Sequence, residues 1–490
     1  MQRLDCHVKE YAWGKKGSGS EVARLFAAGH KNFKMGSKTP YAELWVGTHP
    51  DGAARVQDTG EHLSRMIARS DSCNYLLNNN NGGGEDRDEV HLPFIMKIMS
   101  IRHTLSLQVH PTKEQAAELH ERDPKNYPDR NHKPELAYAL TRFELLCGFR
   151  PAVQIVENMK AFPELCEVMD RANQQKFERL VRAGVKQEAQ ELKDALRQCF
   201  SHMMYAPADL IKEQLAKLKQ RIANGVRGCL SEDTVKVMEQ TWTLFPDDVG
   251  CFAPLYLNHM ILEPGECCFY AAEELHAYLS GECVECVGCS NNTIRAGLTP
   301  KFVDKRSLMD VLNYRMTDPA FYMVDRCNVK GFDCVFEYAP DCKDFTLHEM
   351  NIPSAKAPHA VVANLPTLGC ASMMVIVSGE VECRELLGDA DEVMSRRPEW
   401  ALATSRLGER GDIFYIPPHS QIQLVKRGVE PVLAYRTFSY EVGPDHSTRI
   451  KLPTVADHPT KIALPIKKFR HMHNGVADYV DETIEMDGLI

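Results

Sequence analysis

Four side chains in this 490-residue sequence are of the types that hold a divalent metal: Gln108, His110, Glu135 and His276. The first two lie in LSLQVHP, residues 105–111, where Leu105, Leu107 and Val109 alternate with Ser106, Gln108 and His110. That rhythm belongs to a β-strand with two chemically opposite faces, and it sets Gln108 and His110 about 7 Å apart on the polar one. Glu135 opens an extended run in NHKPELAYAL, and His276 begins another in HAYLSG. Two neutral imidazoles, one carboxylate and one amide oxygen suit a divalent ion such as zinc and leave room for water or substrate. Spacing alone does not bring such distant strands together, and each residue taken singly is ordinarily a solvated or packed side chain.

Strands must deliver these ligands, and the chain contains candidates. Up to about residue 150, the runs YAELWVG, PFIMKIMS, TLSLQVHP and FELLCGF read as strands. Thr112 and Gln115 form a capping-box pattern for a helix through QAAELH. The tract NNNNGGGEDRDE, residues 78–89, has no apolar surface to bury and is expected to be a mobile insertion. Between Ala152 and Pro246 apolar residues recur every three or four positions, as in QKFERLVRAGVKQEAQELKDALRQCF, which predicts a helical unit. Alternation then resumes, with a turn at Pro264-Gly265, the apolar run CCFYAA, and His276 placed before a turn at Ser280-Gly281. After the helix-like SLMDVLNY, a third region (FTLHEMNI, CASMMVIVSGEVECREL, GDIFYIPPHSQIQLV, VLAYRTFSYEV) repeats the β rhythm without the Gln, His, Glu and His set, so His419 is expected to be structural. The fold class is mainly β, a repeated sandwich with an inserted α-helical domain.

The length calls for two or three domains. A net charge of −9 argues against a general nucleic-acid or anionic-membrane binder, so any positive site must be small and local. Seventeen cysteines are scattered. Cys283, Cys286 and Cys289 in CVECVGC lack a fourth ligand and a second paired half, and read as small apolar residues of a reducing compartment. The opening MQRLDCHVKEYAWG has no apolar signal core, and no apolar run approaches transmembrane length, so the expected location is the cytoplasm.

YAWG at 11–14, AELW at 42–45, LPFIMKIMS at 92–100, LSLQVHP, NHKPE at 131–135, HAYLSG at 276–281 and RAGLTPK at 295–301 together resemble, in order, segments of the type I phosphomannose isomerases of the cupin superfamily. The resemblance spans nearly the full chain. It implies a catalytic cupin jelly roll in two parts, residues 1–151 and 247–330, a helical domain at 152–246, and a C-terminal cupin-like jelly roll at 331–490. It implies one zinc per chain on Gln108, His110, Glu135 and His276, with the polar face of LSLQVHP turned into the barrel. The implied activity is an aldose-ketose isomerisation of mannose 6-phosphate and fructose 6-phosphate through a cis-enediol, supplying mannose for GDP-mannose and glycosylation. A monomer with a small phosphosugar as its partner is expected.

By the same resemblance Arg295 and Lys133 are catalytic, while Lys97, Ser106, Lys301, Tyr278, Trp13, Glu43, His132 and Asn291 contact substrate. Lys133 is the candidate general base, with His132 or metal-bound hydroxide as the alternative. The basic residues would hold a phosphate monoester and stabilise an oxyanion. One position departs: the family reads Ser-Asp-Asn where this chain has Ser290, Asn291 and Asn292. An amide carries no proton for catalysis, and Asn291→Asp is expected to be tolerated. Two rivals remain open, an iron cupin oxygenase, since two His and one Glu also suit iron, and a non-enzymatic metal-dependent sugar-binding double jelly roll. Gln108 and the basic residues argue against the oxygenase, and turnover of phosphosugar separates all three.

Overall fold

A computed structural model of the protein describes residues 1–70, 88–354, 361–387, 401–440 and 454–456. All but the last two residues of the Asn/Gly-rich tract lie outside that range. The fold is sheet-rich with a helical insertion. Its first β unit is a ten-stranded sheet system in which strand His276–Gly288 takes part twice. Its early part pairs with Phe143–Phe149 and Leu107–Val109, and its later part with Phe94–Ile101 and Glu135–Ala139.

No turn forms at Ser280-Gly281: the 13-residue strand runs on, with a bulge between Tyr278 and Ser280. Gly281 has φ +114, and a Cβ there would stand 2.6 Å from the Arg142 carbonyl oxygen, so the backbone passes only as glycine. A glycine with positive φ serves a turn or a bulge equally well, which is why the sequence pattern misread it. The Pro264-Gly265 turn is present, with Glu266 N bonded to the Glu263 carbonyl at 2.9 Å and Gly265 at φ +96.

Strand Phe94–Ile101 is buried on both faces, and its alternation separates two destinations. Lys97 and Met99, with Glu135, Ala137, Cys283 and Glu285 on neighbouring strands, lie on the barrel side. Met96, Ile98, Leu136, Tyr138, Val284 and Cys286 form one core with Tyr338, Leu347, Met373, Val375 and Tyr435 of the C-terminal unit. On the other sheet Leu107 and Val109 point away from the site, into a core shared with the helices.

The helical unit runs through Ala152–Ala161, Pro163–Met169, Arg171–Arg182, Gln190–Tyr205, Ala208–Ala223 and Glu232–Leu244. Gly184, at φ +75, separates the third and fourth of these, with Val185 N closing back on the Leu180 carbonyl at 3.1 Å. Its stripes of Leu, Met and Phe are core. The predicted capping box is complete: Thr112 Oγ1 accepts from Gln115 N at 3.2 Å while Thr112 N donates to Gln115 Oε1 at 2.8 Å, opening helix Lys113–Arg122.

The C-terminal unit is built on a nine-stranded sheet and a four-stranded sheet. The first strand of the chain, Gln2–Asp5, joins the larger one by pairing with Ile413–Ile416. His419 sits in a turn at φ +60, its backbone N bonded to the Leu368 carbonyl. Cys283, Cys286 and Cys289 are free thiols. Among the described residues no helix is long and apolar enough to cross a membrane.

Candidate active site

Register builds the site. Across three adjacent strands Arg295 pairs with Gln108, and Gln108 with His276. Directly opposed residues share a face at roughly 5 Å, so one row carries a guanidinium, an amide and an imidazole. A second row runs from Trp45 through Lys97 to Glu285, and Glu135 faces Tyr270 on the neighbouring strand.

His110, Glu135 and His276 are buried and converge, with ligand atoms all within 4.8 Å of one another. Among the described residues this is the one group of His, Cys, Asp and Glu spaced to share a metal ion. His110 Nε2 lies 3.2 Å from Glu135 Oε1, and His276 Nε2 lies 3.5 Å from Glu135 Oε2. The opposite ring nitrogens are committed: His110 Nδ1 donates to the Asn292 carbonyl at 2.7 Å, and His276 Nδ1 to the Glu274 carbonyl at 2.9 Å. Each neutral ring therefore aims a lone pair inward, the tautomer a metal ligand needs. Gln108 lies beside the three, its amide nitrogen 3.5 Å from His276 Nε2 and its oxygen accepting from Ser106 Oγ at 3.0 Å. Turning the amide end over end presents the oxygen instead.

The charges agree with a cation at this point. Burial pushes both imidazoles down, His276 to about 3, with Lys133 adding to the effect on His110. Burial opposes ionisation of Glu135, yet Lys133, His110 and His276 hold it well below the usual carboxylate range. One carboxylate thus meets two lone pairs with no proton between them, and His110 Nε2 is buried without a hydrogen-bond partner. Beside the Lys133 and Tyr270 contacts to the carboxylate, the inward lone pairs favour a positive ion among the three. The donor set fits zinc.

The remaining predicted residues fall into distinct places. Lys133 Nζ reaches Glu135 Oε1 at 2.7 Å. Lys97 is buried against Glu285 at 2.9 Å and Glu43 at 3.9 Å, and these acids outweigh burial and raise its pKa. Glu43 also accepts from Trp45 Nε1 at 2.5 Å. Arg295 is half-buried, with no ion-pair partner among the described residues. Lys301 follows in an exposed turn whose backbone is held by Asp248 through Leu298 N and Thr299 N. Tyr278 packs on Phe143 in the barrel interior with its hydroxyl unpartnered, and Trp13 stacks on Tyr11. His132 bonds Asp344 at 2.8 Å; burial opposes its charged form, but Asp344 raises the pKa above the ordinary value.

Asn291 corrects an expectation. Its side-chain amide donates to the Asp51 carboxylate, and its backbone N to Asp129 Oδ2 at 2.8 Å. An aspartate there would set two carboxylates against each other, so the structure argues that Asn291→Asp is costly rather than tolerated. Asp129 also accepts from Ser290 Oγ and Asn292 Nδ2, and so fixes the turn whose carbonyl sets the His110 tautomer.

Glu285, Tyr270, Asp129 and Asp51 escaped sequence reasoning. Tyr270, whose hydroxyl donates to Glu135 Oε2 at 2.5 Å, was hidden in the apolar run CCFYAA. Glu285 carried one signal, an acid in an otherwise apolar strand, but its partner appears only once the register with Lys97 is known.

Comparison with known proteins gives the arrangement its lineage. Residues 1–152 match the family described as phosphomannose isomerase type I, catalytic domain, and residues 168–257 match its helical insertion domain. The mannose-6-phosphate isomerase of Mus musculus is 41% identical over 384 residues, covering 77% of this chain and 87% of that protein. The human enzyme of the same name is 38% identical over 386 residues, with the same coverage. A mutant of phosphomannose isomerase from Salmonella typhimurium superposes with TM-score 0.68 at 25% identity, covering 90% of this chain and 99% of that one. A mannose 6-phosphate isomerase bound with zinc and yttrium shares the fold at TM-score 0.68 and 24% identity over the same fractions. Identity of this extent, across catalytic sheet and helical insertion alike, means that the chain belongs to the type I phosphomannose isomerase family.

Proposed function

We propose that this chain interconverts mannose 6-phosphate and fructose 6-phosphate, using one zinc ion held by Gln108, His110, Glu135 and His276. The observation that carries the reading is the inward convergence of two neutral imidazoles on an ionised, buried Glu135. Zinc bound there supplies Lewis-acid polarisation of the sugar's carbonyl and hydroxyl oxygens. The chain's own residues do the rest. Lys133 stands beside the ligand set and moves the proton between C1 and C2 along a cis-enediol path. Arg295, next to Gln108 and with no carboxylate partner among the described residues, holds the negative charge that develops on oxygen. Lys301 takes the phosphate from its exposed turn. Ser106 orients Gln108, and Trp13, Glu43, Tyr278, Lys97, His132 and Asn291 shape the surrounding wall.

We read both β units as cupin-type jelly rolls, a reading supported in the first unit by strand His276–Gly288, which serves two sheets. The relatives' names favour an isomerase over an iron oxygenase or a non-enzymatic sugar binder. The test is to incubate the purified, zinc-loaded protein with mannose 6-phosphate in deuterated water and follow C1 and C2 by NMR. Fructose 6-phosphate and deuterium at C2 of recovered mannose 6-phosphate are expected. Binding without conversion would leave the sugar-binding rival, and oxygen uptake without isomer would leave the oxygenase.

A further inference from the structure

Resting on that isomerase reading, we propose that Asp344 of the C-terminal unit is a positioning residue for the reaction, holding through His132 the NHKPE segment that carries Lys133 and Glu135. Besides the Asn131 side chain, which donates to the Cys289 carbonyl at 3.2 Å, and the strand pairing of Glu135, three contacts hold the segment. Asn131 is tied by its carbonyl, which accepts from Ser290 Oγ and Asn292 Nδ2 at 3.0 Å each. Pro134 is tied by its carbonyl, which accepts from Gly288 N at 3.1 Å. Both come from the strand-turn 288–292 of the catalytic unit itself. The third, His132 Nε2 to Asp344 Oδ1 at 2.8 Å, crosses between units over a separation of 212 residues.

Asp344 is fixed in turn. The next residue, Phe345, is fully buried in the core common to the two β units and packs edge-on against Phe269. Strand Thr346–Ile352 begins immediately after it. A carboxylate mounted on that rigid start meets an imidazole one residue from Lys133, so the C-terminal unit determines where the Lys133 ammonium group can go. Releasing it frees the His132–Lys133 stretch to rotate between Asn131 and Pro134, which stay tied to the catalytic unit. An error of about 1 Å in a reacting group costs on the order of a hundredfold in rate.

Substrate contact by Asp344 is not part of the inference. Asp344→Asn keeps the shape and removes the charge. It is expected to lower kcat roughly ten- to a hundredfold, with KM within about threefold of wild type. Asp344→Glu is expected to recover most of that loss. If Asp344 acts through Lys133, then adding Asp344→Asn to Lys133→Met costs less than about threefold more, because effects that share one group do not add. A merely structural pin would subtract the same factor in both backgrounds. Equal factors, or an Asp344→Asn enzyme within about twofold of wild-type kcat, overturn the proposal.

Should Asp344→Asn fail to fold, Asp344→Ser, which removes the carboxylate in a smaller side chain, and Asp344→Glu, which keeps it, decide instead. Serine is expected to lose kcat roughly ten- to a hundredfold and glutamate to retain most of it; equal losses overturn the inference. Wild-type protein that does not convert mannose 6-phosphate at all overturns the isomerase reading itself. The Asp344 comparison is made only against an active wild type.

Discussion

Glu135 is the residue on which the site's electrostatics turn. Buried, bonded by Tyr270 and faced by Lys133, it keeps its charge, while the two imidazoles beside it are kept neutral. If Lys133 is the proton carrier, Lys133→Met should lower turnover roughly a hundredfold or more, with bound zinc and KM little changed. Weakened binding with saturated turnover intact would make Lys133 a phosphate contact instead. At Asn291, the bond to Asp51 predicts that Asn291→Asp costs stability and activity, about 1 kcal/mol or roughly fivefold for so exposed a pair. Adding Asp51→Asn, which restores one amide facing one carboxylate, should recover the loss. A fully active single variant would show that Asp51 does not face that position in solution. Ligand types were legible because zinc restricts them to a few residues, whereas Tyr270, Glu285 and Asp51 act through cross-strand and loop neighbours that no linear spacing encodes.

Strand His276–Gly288 decides the architecture at the level of elements, because its bulge between Tyr278 and Ser280, followed by Gly281, passes one chain segment from the first sheet to the second. The bulge also shifts the facing: before it His276 and Tyr278 look into the barrel, and after it Cys283 and Glu285 do. Gly281→Ala meets both a forbidden φ and a 2.6 Å clash with backbone, and should destabilise the fold by more than the roughly 1–3 kcal/mol of conformational strain alone. Denaturant unfolding measures this, and an unchanged midpoint would mean that the strand does not bend there. Thr112→Ala, by contrast, should cost only about 1 kcal/mol, the usual worth of an N-cap. The alternation of LSLQVHP and the capping box of Lys113–Arg122 were readable because they are local. The bulge was not, since what forces a glycine there is the Arg142–Phe143 backbone, far away in sequence.

Across the whole molecule, the two β units share one core, and the helical unit packs behind the strand of Gln108, so each part braces the site from a different side. The placement of Gln2–Asp5 in the C-terminal sheet was beyond sequence reading, because a short edge pairing carries no periodic signal of its own. Between catalytic sheet and helices lies His259, whose Nδ1 is 3.0 Å from Thr234 Oγ1. Its Nε2 lies 3.3 Å from Glu144, and Asp233 favours the charged ring, but burial with Arg150 and Arg142 prevails and lowers the pKa to about 4. The unfolded chain then binds a proton that the folded one refuses. The stability from a neutral His259 is full above pH 6.5 and is lost as the pH falls toward 4, by at most about 1.4 kcal/mol per pH unit. His259→Gln should flatten the acid limb of the unfolding midpoint over that range, and an unaltered limb would assign it to other groups. The role of the metal is decided by stripping the protein with a chelator and titrating zinc back while following conversion of mannose 6-phosphate. The account predicts no turnover at zero zinc and a linear rise that breaks at one ion per chain, absent in His276→Ala. Full turnover in the metal-free protein, or none at any zinc loading, would contradict it.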